Sequence, residues 1–293
     1  MILITGGTGF IGTALIKRLL ESGEEIRLLK LYSEKTDLPV AEILDGDIMD
    51  PDSLKEAVKG VGKVIHLAGV VSYTMPREQL FKINVDGTKN VLNACSKVKR
   101  FVFASSVSVY GPRKGLLTED TPTMPMNDYG SSKLEAEEAV LESGLNYVIV
   151  RMAPIYGAGS PQWMKNLKLL DGGFPVPNVK TVTHVLSIDN AAQALQLALT
   201  GSEGVYNIAD DKPVPFVDFT EEIIRLLGKD PKRMPLWLLK IVAAVKGLGP
   251  YLDVLVHERN YDISEARKGL GYKPDRDFDS QLKRMVQWYM ESK

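Results

Sequence analysis

Tyr129 and Lys133 stand four residues apart in Tyr129-Gly-Ser-Ser-Lys133-Leu-Glu-Ala-Glu137, a stretch with an open helical pattern. At that spacing two side chains share one helix face. A tyrosine hydroxyl is normally protonated at neutral pH, and a lysine ammonium beside it favours the phenolate and lowers its pKa. Such a pair can pass a proton to or from a carbinol oxygen. Upstream, Arg100-Phe-Val-Phe-Ala-Ser105-Ser106 reads as a strand that ends in hydroxyls, and Ser106 could hold the same oxygen. A second Tyr-x-x-x-Lys, Tyr110 with Lys114, has Gly111 and Pro112 between its members, so no helix keeps them on one face. The plainer alternative makes Tyr129 a helix-start aromatic and Lys133 a solvated charge. It is weighed by whether the rest of the chain supplies a partner for proton transfer.

The opening stretch supplies one. Met1-Ile-Leu-Ile-Thr5 is a short apolar run, Gly6, Gly9 and Gly12 follow, and Ile11, Ala14, Leu15 and Leu19 begin a helical pattern. Strand, glycine turn and helix in that order suit a dinucleotide. Glycine lets the backbone approach a ligand, and a helix start offers free N–H groups to a pyrophosphate. Gly6, Gly9, Phe10, Ile11 and Gly12 are the candidate contacts, with an ordinary glycine-rich βα turn as the alternative. The second strand, Glu25 to Leu31, ends at Lys30, where units of this type usually carry an acid for the adenine ribose. No acid stands near it along the chain. A cation suits a 2′-phosphate, which leans the reading to NADP over NAD; Arg27 and Lys35 could share the role. Lys63-Val-Ile-His66-Leu67-Ala68-Gly69 is a buried strand ending on small residues, so a dinucleotide can lie across Leu67, Ala68 and Gly69, and Val71-Ser-Tyr73 then face the substrate side.

The spacing Gly6-x-x-Gly9-x-x-Gly12 behind Thr5 resembles the extended branch of the short-chain dehydrogenase/reductase superfamily, the NAD-dependent epimerase/dehydratase group broadly drawn. Further segments carry the same resemblance: Gly46-Asp47-Ile48, His66-x-Ala68-Gly69, Asn84-Val-x-Gly87-Thr88-x-Asn90, Tyr129-x-x-x-Lys133, Arg151-Met-x-x-Ile155-Tyr156-Gly157, and the C-terminal Leu270-Gly-Tyr-Lys-Pro274. The resemblance implies that Tyr129 is the general acid/base. Lys133 tunes it and binds the nicotinamide ribose, Ser106 orients the substrate oxygen, and Asn84 completes the catalytic set. It also implies that Asp47, with Ile48 beside it, meets the adenine, that His66 is positional, and that Met152 and Ile155 contact the nicotinamide. Met152 stands where the family usually has proline.

The expected architecture is α/β: a Rossmann doubly wound parallel sheet with a smaller, discontinuous C-terminal substrate domain. Residues 1–156 with 181–209 form the first part, and 157–180 with 210–293 the second. The 293 residues are 44% apolar and 25% charged with a net charge of -1, an ordinary globular balance without the basic field that nucleic acid needs. One cysteine, Cys95, in a core pattern, excludes a disulfide framework and a cysteine metal cage, and no metal site is expected. The chain opens in its first strand, with no room for a leader ahead of it, so the expectation is a cytoplasmic protein. Asp52 or Ser53 is expected to cap the helix through Leu54, and Asp189 the helix that follows it.

Met234 to Lys246 is apolar nearly all round, opened by Pro235 and ended by Gly247, Gly249 and Pro250. It is too short to span a bilayer, which takes roughly 20 residues. A buried helix, a lid and a membrane-surface contact are the readings, in that order. This C-terminal pattern resembles the dihydroflavonol-reductase-like and 3β-hydroxysteroid-dehydrogenase-like members. Arginine is absent between 152 and 224, where nucleotide-sugar members place one, while Met124, Met126, Trp163, Met164 and Phe174 suggest a small, fairly apolar alcohol or ketone, the alternative being that they are only the core of their domain. The expected activity is hydride transfer between NADP or NAD and that substrate. The rivals are a sugar epimerase or dehydratase holding NAD tightly, and a nucleotide-sensing protein without turnover. Members of the family are often dimers through the Tyr–Lys helix and its neighbour, so a homodimer is expected.

Overall fold

A computed structural model describes residues 1–245, 257–275 and 277–293. Its elements begin β1 Ile2–Thr5, α1 Phe10–Glu21, β2 Ile26–Lys30, β3 Glu42–Asp45, α2 Pro51–Ala57 and β4 Lys63–His66. Next come α3 Arg77–Phe81, a π turn Lys82–Asp86, α4 Gly87–Ala94, β5 Arg100–Ser106, a 3₁₀ turn Val107–Tyr110, α5 Asp128–Glu142 and β6 Tyr147–Met152. Then follow β7 Ile155–Tyr156, α6 Pro161–Asp171, β8 Val176–Asn178, β9 Val182–Thr183, β10 Leu186–Ser187, α7 Ile188–Leu197 and β11 Gly204–Ile208. The chain continues through β12 Val214–Pro215, α8 Phe216–Leu226, β13 Arg233–Pro235, α9 Leu236–Val245 and two further helices, Ser264–Gly269 and Phe278–Glu291.

Seven parallel strands form the main sheet in the order β11-β6-β5-β4-β1-β2-β3. The middle strands are covered on both faces, so β1 is buried along its whole length and β4 from Val64 to His66. β3 lies at the edge, and its residues alternate between half-buried and exposed. One face packs on α1 and α7, where Leu15, Ile16 and Leu19 of α1 are buried against Ile2, Ile4 and Ala191. Burying each such side chain contributes roughly 1.5–3 kcal/mol. The opposite face packs on α2, α4 and α5 through Leu54, Val91, Leu92, Ala136 and Val140. Cys95 lies in this core, and burial pushes its thiol up to about 12. The sheet is doubly wound, as the sequence predicts. The order of strands reverses at β1, with β2 on one side and β4 on the other. That reversal opens a crevice at the carboxyl ends of the strands.

A third core gathers α6, α8 and the helix Phe278–Glu291 around Tyr156, Leu167, Phe219, Ile223, Leu282 and Met285. Tyr261, Ile263, Ala266 and Tyr272 pack into the core of the main sheet.

Three local expectations are corrected. The α7 cap is Ser187, whose hydroxyl accepts from Asn190 N. Asp189 instead turns outward to Gln281, 2.6 Å away, and Arg284, 2.8 Å away. The α2 cap is Asp50, one residue before Pro51 at the first helical position, so the chain starts its helix earlier than Asp52 or Ser53 would allow. α9 begins after Pro235 but buries only Leu239 and Ala243, leaving Trp237, Ile241 and Val245 exposed. Gly247, Gly249 and Pro250 lie outside the described residues. Among the described residues no helix is long and apolar enough to cross a membrane.

Candidate active site

The glycine turn between β1 and α1 is closed by contact. Gly6 has φ +69°, and a Cβ there would fall 2.6 Å from the Ala68 backbone nitrogen. A Cβ on Gly12 would run into Gly7 Cα and Gly6 O. Only glycine lets α1 start this close to β4, and that start aims the first-turn N–H groups into the crevice. Thr5 reinforces the junction: its hydroxyl bonds His66 Nδ1 at 2.7 Å and accepts from Ala68 N at 3.3 Å. His66 Nε2 meets the Thr88 hydroxyl at 3.0 Å. Burial, and then the charge of Lys133, lower the His66 pKa to about 3, so the ring is a neutral strut between β1, β4 and α4.

One cavity of about 850 Å³ runs from this turn across the strand ends. Of the residues predicted from sequence, Gly6, Gly9, Phe10, Ile11, Gly12, Lys30, Asp47, Ile48, Leu67, Ala68, Gly69, Ser106, Tyr129, Met152 and Ile155 line it. Lys133 and Asn84 stand behind its wall, each almost fully buried. The turn, the α1 start and the volume of the cavity fit a dinucleotide. Arg27 points elsewhere: it bonds Glu42 at 2.7 Å and the carbonyls of Ala57 and Lys59. The expectation that no acid neighbours Lys30 is corrected. The β2–β3 register sets Lys30 opposite Asp45, and the two form an ion pair. Glu34 also lines this end, and its carboxylate accepts from Leu31 N. Asp47 is shaped by its own turn, its carboxylate accepting from Met49 N at 2.9 Å.

α5 starts at Asn127, whose side chain accepts from Gly130 N at 2.9 Å, and this cap sets Tyr129 in the first turn, facing the crevice. Across from it Ser106 ends β5, its hydroxyl 3.0 Å from that of Ser108. The Tyr73 ring meets Tyr129 edge-on, with centroids 6.0 Å apart at 82°. Asn84 sits on the π turn, where the widened helix brings its side chain inward. Its amide donates to Ser132 Oγ at 2.9 Å and to Val70 O at 3.0 Å, and accepts from Val70 N at 2.7 Å. Ser132 Oγ in turn donates to the Tyr129 carbonyl at 2.8 Å. Asn84 therefore ties the Val70 loop to the helix that carries Tyr129.

Electrostatics reverse one expectation. Tyr129 is pushed above the ordinary phenol value, first by burial and then by Tyr73, while the Ser106 hydroxyl acts the other way. The Lys133 ammonium lies 4.1 Å over the Phe103 ring, and burial lowers its pKa to about 8 against the opposing pull of Glu137. In the chain by itself burial dominates, so Tyr129 is a phenol able to donate a proton.

The same cavity is lined by Tyr73, Met126, Trp163, Val185, Phe216, Phe219 and Tyr261, residues that could meet a substrate. Of the apolar residues expected there, Met126 and Trp163 line it. Met124 is exposed, Met164 packs in the third core and Phe174 packs against α9. Arg259 and Lys165 also line the cavity. Arg259 was missed because it lies far beyond the segment in which an arginine was sought, and no local pattern marks it.

Residues 2–209 match the model of the NAD dependent epimerase/dehydratase family. The chain is 28% identical to UDP-glucose 4-epimerase of Vibrio cholerae, over 99% of its length and 96% of that protein. It is 27% identical to the decarboxylating sterol-4-alpha-carboxylate 3-dehydrogenase of Mus musculus, over 97% of its length and 89% of that protein. UDP-glucose 4-epimerase of Thermotoga maritima has a similar fold, with a TM-score of 0.82 over 99% of both chains at 23% identity. The chain belongs to the NAD-dependent epimerase/dehydratase family and is an enzyme of the extended short-chain dehydrogenase/reductase type.

Proposed function

We propose that the protein transfers hydride between NADP(H) and the carbonyl or secondary alcohol of a small, fairly apolar substrate. The bound nicotinamide supplies or takes up the hydride. Tyr129 gives its proton to the oxygen of a carbonyl being reduced, or takes it from an alcohol being oxidised. Ser106 hydrogen-bonds the same oxygen and holds it against Tyr129. Lys133 binds the nicotinamide ribose, and its charge favours the phenolate that remains after proton donation. Asn84 holds α5 and the Val70 backbone in register. The observation that carries the reading is that Ser106, Tyr129 and the glycine turn open into one cavity.

The preference for NADP(H) rests on Lys30, the cation at the adenine end, which must exchange Asp45 for a 2′-phosphate. Lys30→Ala is expected to weaken NADPH binding about tenfold, as loss of one charge-assisted contact does, and to leave NADH binding nearly unchanged. Equal losses for both cofactors in a fluorescence titration would remove the preference. The reading includes a homodimer through α5 and α4, and a protein of the cytoplasm.

A sugar epimerase or dehydratase is the second reading, favoured by Arg259 on the substrate side of the cavity, where a diphosphate would need a cation. NAD released from denatured protein at about one per chain would select it. A purified chain free of nucleotide that prefers NADPH selects the reductase.

A further inference from the structure

The face of α5 that carries Tyr129 and Lys133 carries Glu137 one turn further on. Its side chain is 1% exposed. Both carboxylate oxygens accept from Arg151 of β6, at 2.7 Å from Nη2 and 3.1 Å from Nε. The Ser105 hydroxyl of β5 donates to the same carboxylate. Arg151 continues through Nη1 to the Tyr110 hydroxyl at 2.9 Å, and Tyr110 donates to Asn207 of β11 at 2.7 Å. Each partner of Glu137 is the sequence neighbour of a cavity residue: Ser105 of Ser106, and Arg151 of Met152. A carboxylate this deep is costly unless every oxygen is satisfied, and here each one is.

We propose that Glu137 is a positioning residue for the Tyr129–Lys133 pair, its Arg151-locked carboxylate keeping the buried Lys133 amine charged and in place below the cofactor. The proposal rests on the cofactor role given to Lys133 above. Lys133 is faced by Tyr129 and Glu137 from its own helix, by neutral His66 from β4, and by the Phe103 ring from β5. Arg151 from β6 is bonded to the Glu137 carboxylate. Glu137 is the anion among these groups, and its charge is what opposes the loss of the Lys133 proton to burial. Arg151, bonded to the same carboxylate through Nε and Nη2, offsets part of this charge, and burial of the whole cluster keeps the remainder effective at Lys133. If the carboxylate became neutral, two buried cations would face each other across the space it fills. The amine, which can give up its proton where guanidinium cannot, would discharge.

The test reads Lys133 directly, with ¹⁵Nζ-labelled lysine followed by NMR across pH and its signal assigned by loss in Lys133→Met. The wild-type amine is expected to titrate near pH 8, and in Glu137→Gln at least about one unit lower. The dissociation constant for NADPH, followed by fluorescence over the same range, should begin to rise about one unit earlier in Glu137→Gln than in wild type. It should lose this dependence in Lys133→Met. If Glu137→Gln does not fold, Glu137→Gln with Arg151→Met removes both charges, and the same early discharge is expected. A Lys133 titration unmoved in the folded variant overturns the proposal and leaves Glu137 a structural tie. A shifted titration with NADPH binding indifferent to pH in every variant keeps the electrostatic role of Glu137. In that case the cofactor role of Lys133 fails.

Discussion

Tyr129 is a phenol made harder to ionise by burial and by Tyr73, and that sets the direction in which it acts most readily. A protonated Tyr129 is ready to donate, so carbonyl reduction needs no prior titration of the free enzyme. Alcohol oxidation needs the phenolate, which the Lys133 charge must stabilise. Tyr129→Phe is expected to lower turnover about 10²–10⁴-fold, the usual share of a positioned proton donor. NADPH affinity should stay within a few-fold of wild type. Steady-state rates with a carbonyl panel, alongside a binding titration, check this, and turnover near wild type would remove Tyr129 from the mechanism. Tyr129, which the fold brings to the cavity, was legible as a candidate in its spacing with Lys133. The direction of its shift was not, because burial belongs to the assembled crevice and no local pattern encodes it. Lys30 illustrates the same limit: Asp45 lies fifteen positions away along the chain and becomes a neighbour only through the register of β2 and β3.

Elements do the positioning, and the most constrained of them is the turn from β1 into α1. Gly12→Ala puts a methyl group into the Gly7 backbone, and backbone cannot yield as a flexible side chain can. The expected result is a loss of about 1–3 kcal/mol in stability, of the size that overpacking costs, with NADPH binding weakened at least tenfold. Urea unfolding and a cofactor titration measure the two effects, and a variant that folds and binds as wild type would show that α1 can shift. The glycines, the strands and the open pattern of α5 could all be read in advance, since each is a local constraint on one stretch of chain. The caps misled. Asp189 has the right residue type, but Ser187 comes first and fills the position, and Asp50 does the same ahead of Ser53. The π turn at Lys82–Asp86 left no mark in the apolar pattern, though it decides where Asn84 points.

Across the whole molecule, His66 links folding to pH. Its pKa is about 3 in the folded chain and 6.5 as an ordinary histidine, so between these values the unfolded chain takes up a proton that the folded one refuses. Stability should therefore fall as the pH drops from 6.5 towards 3, by up to about 1.4 kcal/mol per unit from this group. Denaturant titrations of wild type and His66→Asn should show a shallower slope in the variant. Equal slopes would mean that the ring is not held neutral.

The strand order has a consequence for synthesis. β6 is complete at Met152, yet its outer edge is covered by β11, which begins only at Gly204. At about 5–20 residues per second a ribosome takes roughly 3–10 seconds to bridge that gap. Throughout that interval the nascent sheet ends in an open, apolar strand able to pair with another chain. Tyr110 meanwhile lacks its acceptor Asn207. Shielding of this edge by a chaperone during elongation is expected to raise the yield of folded enzyme.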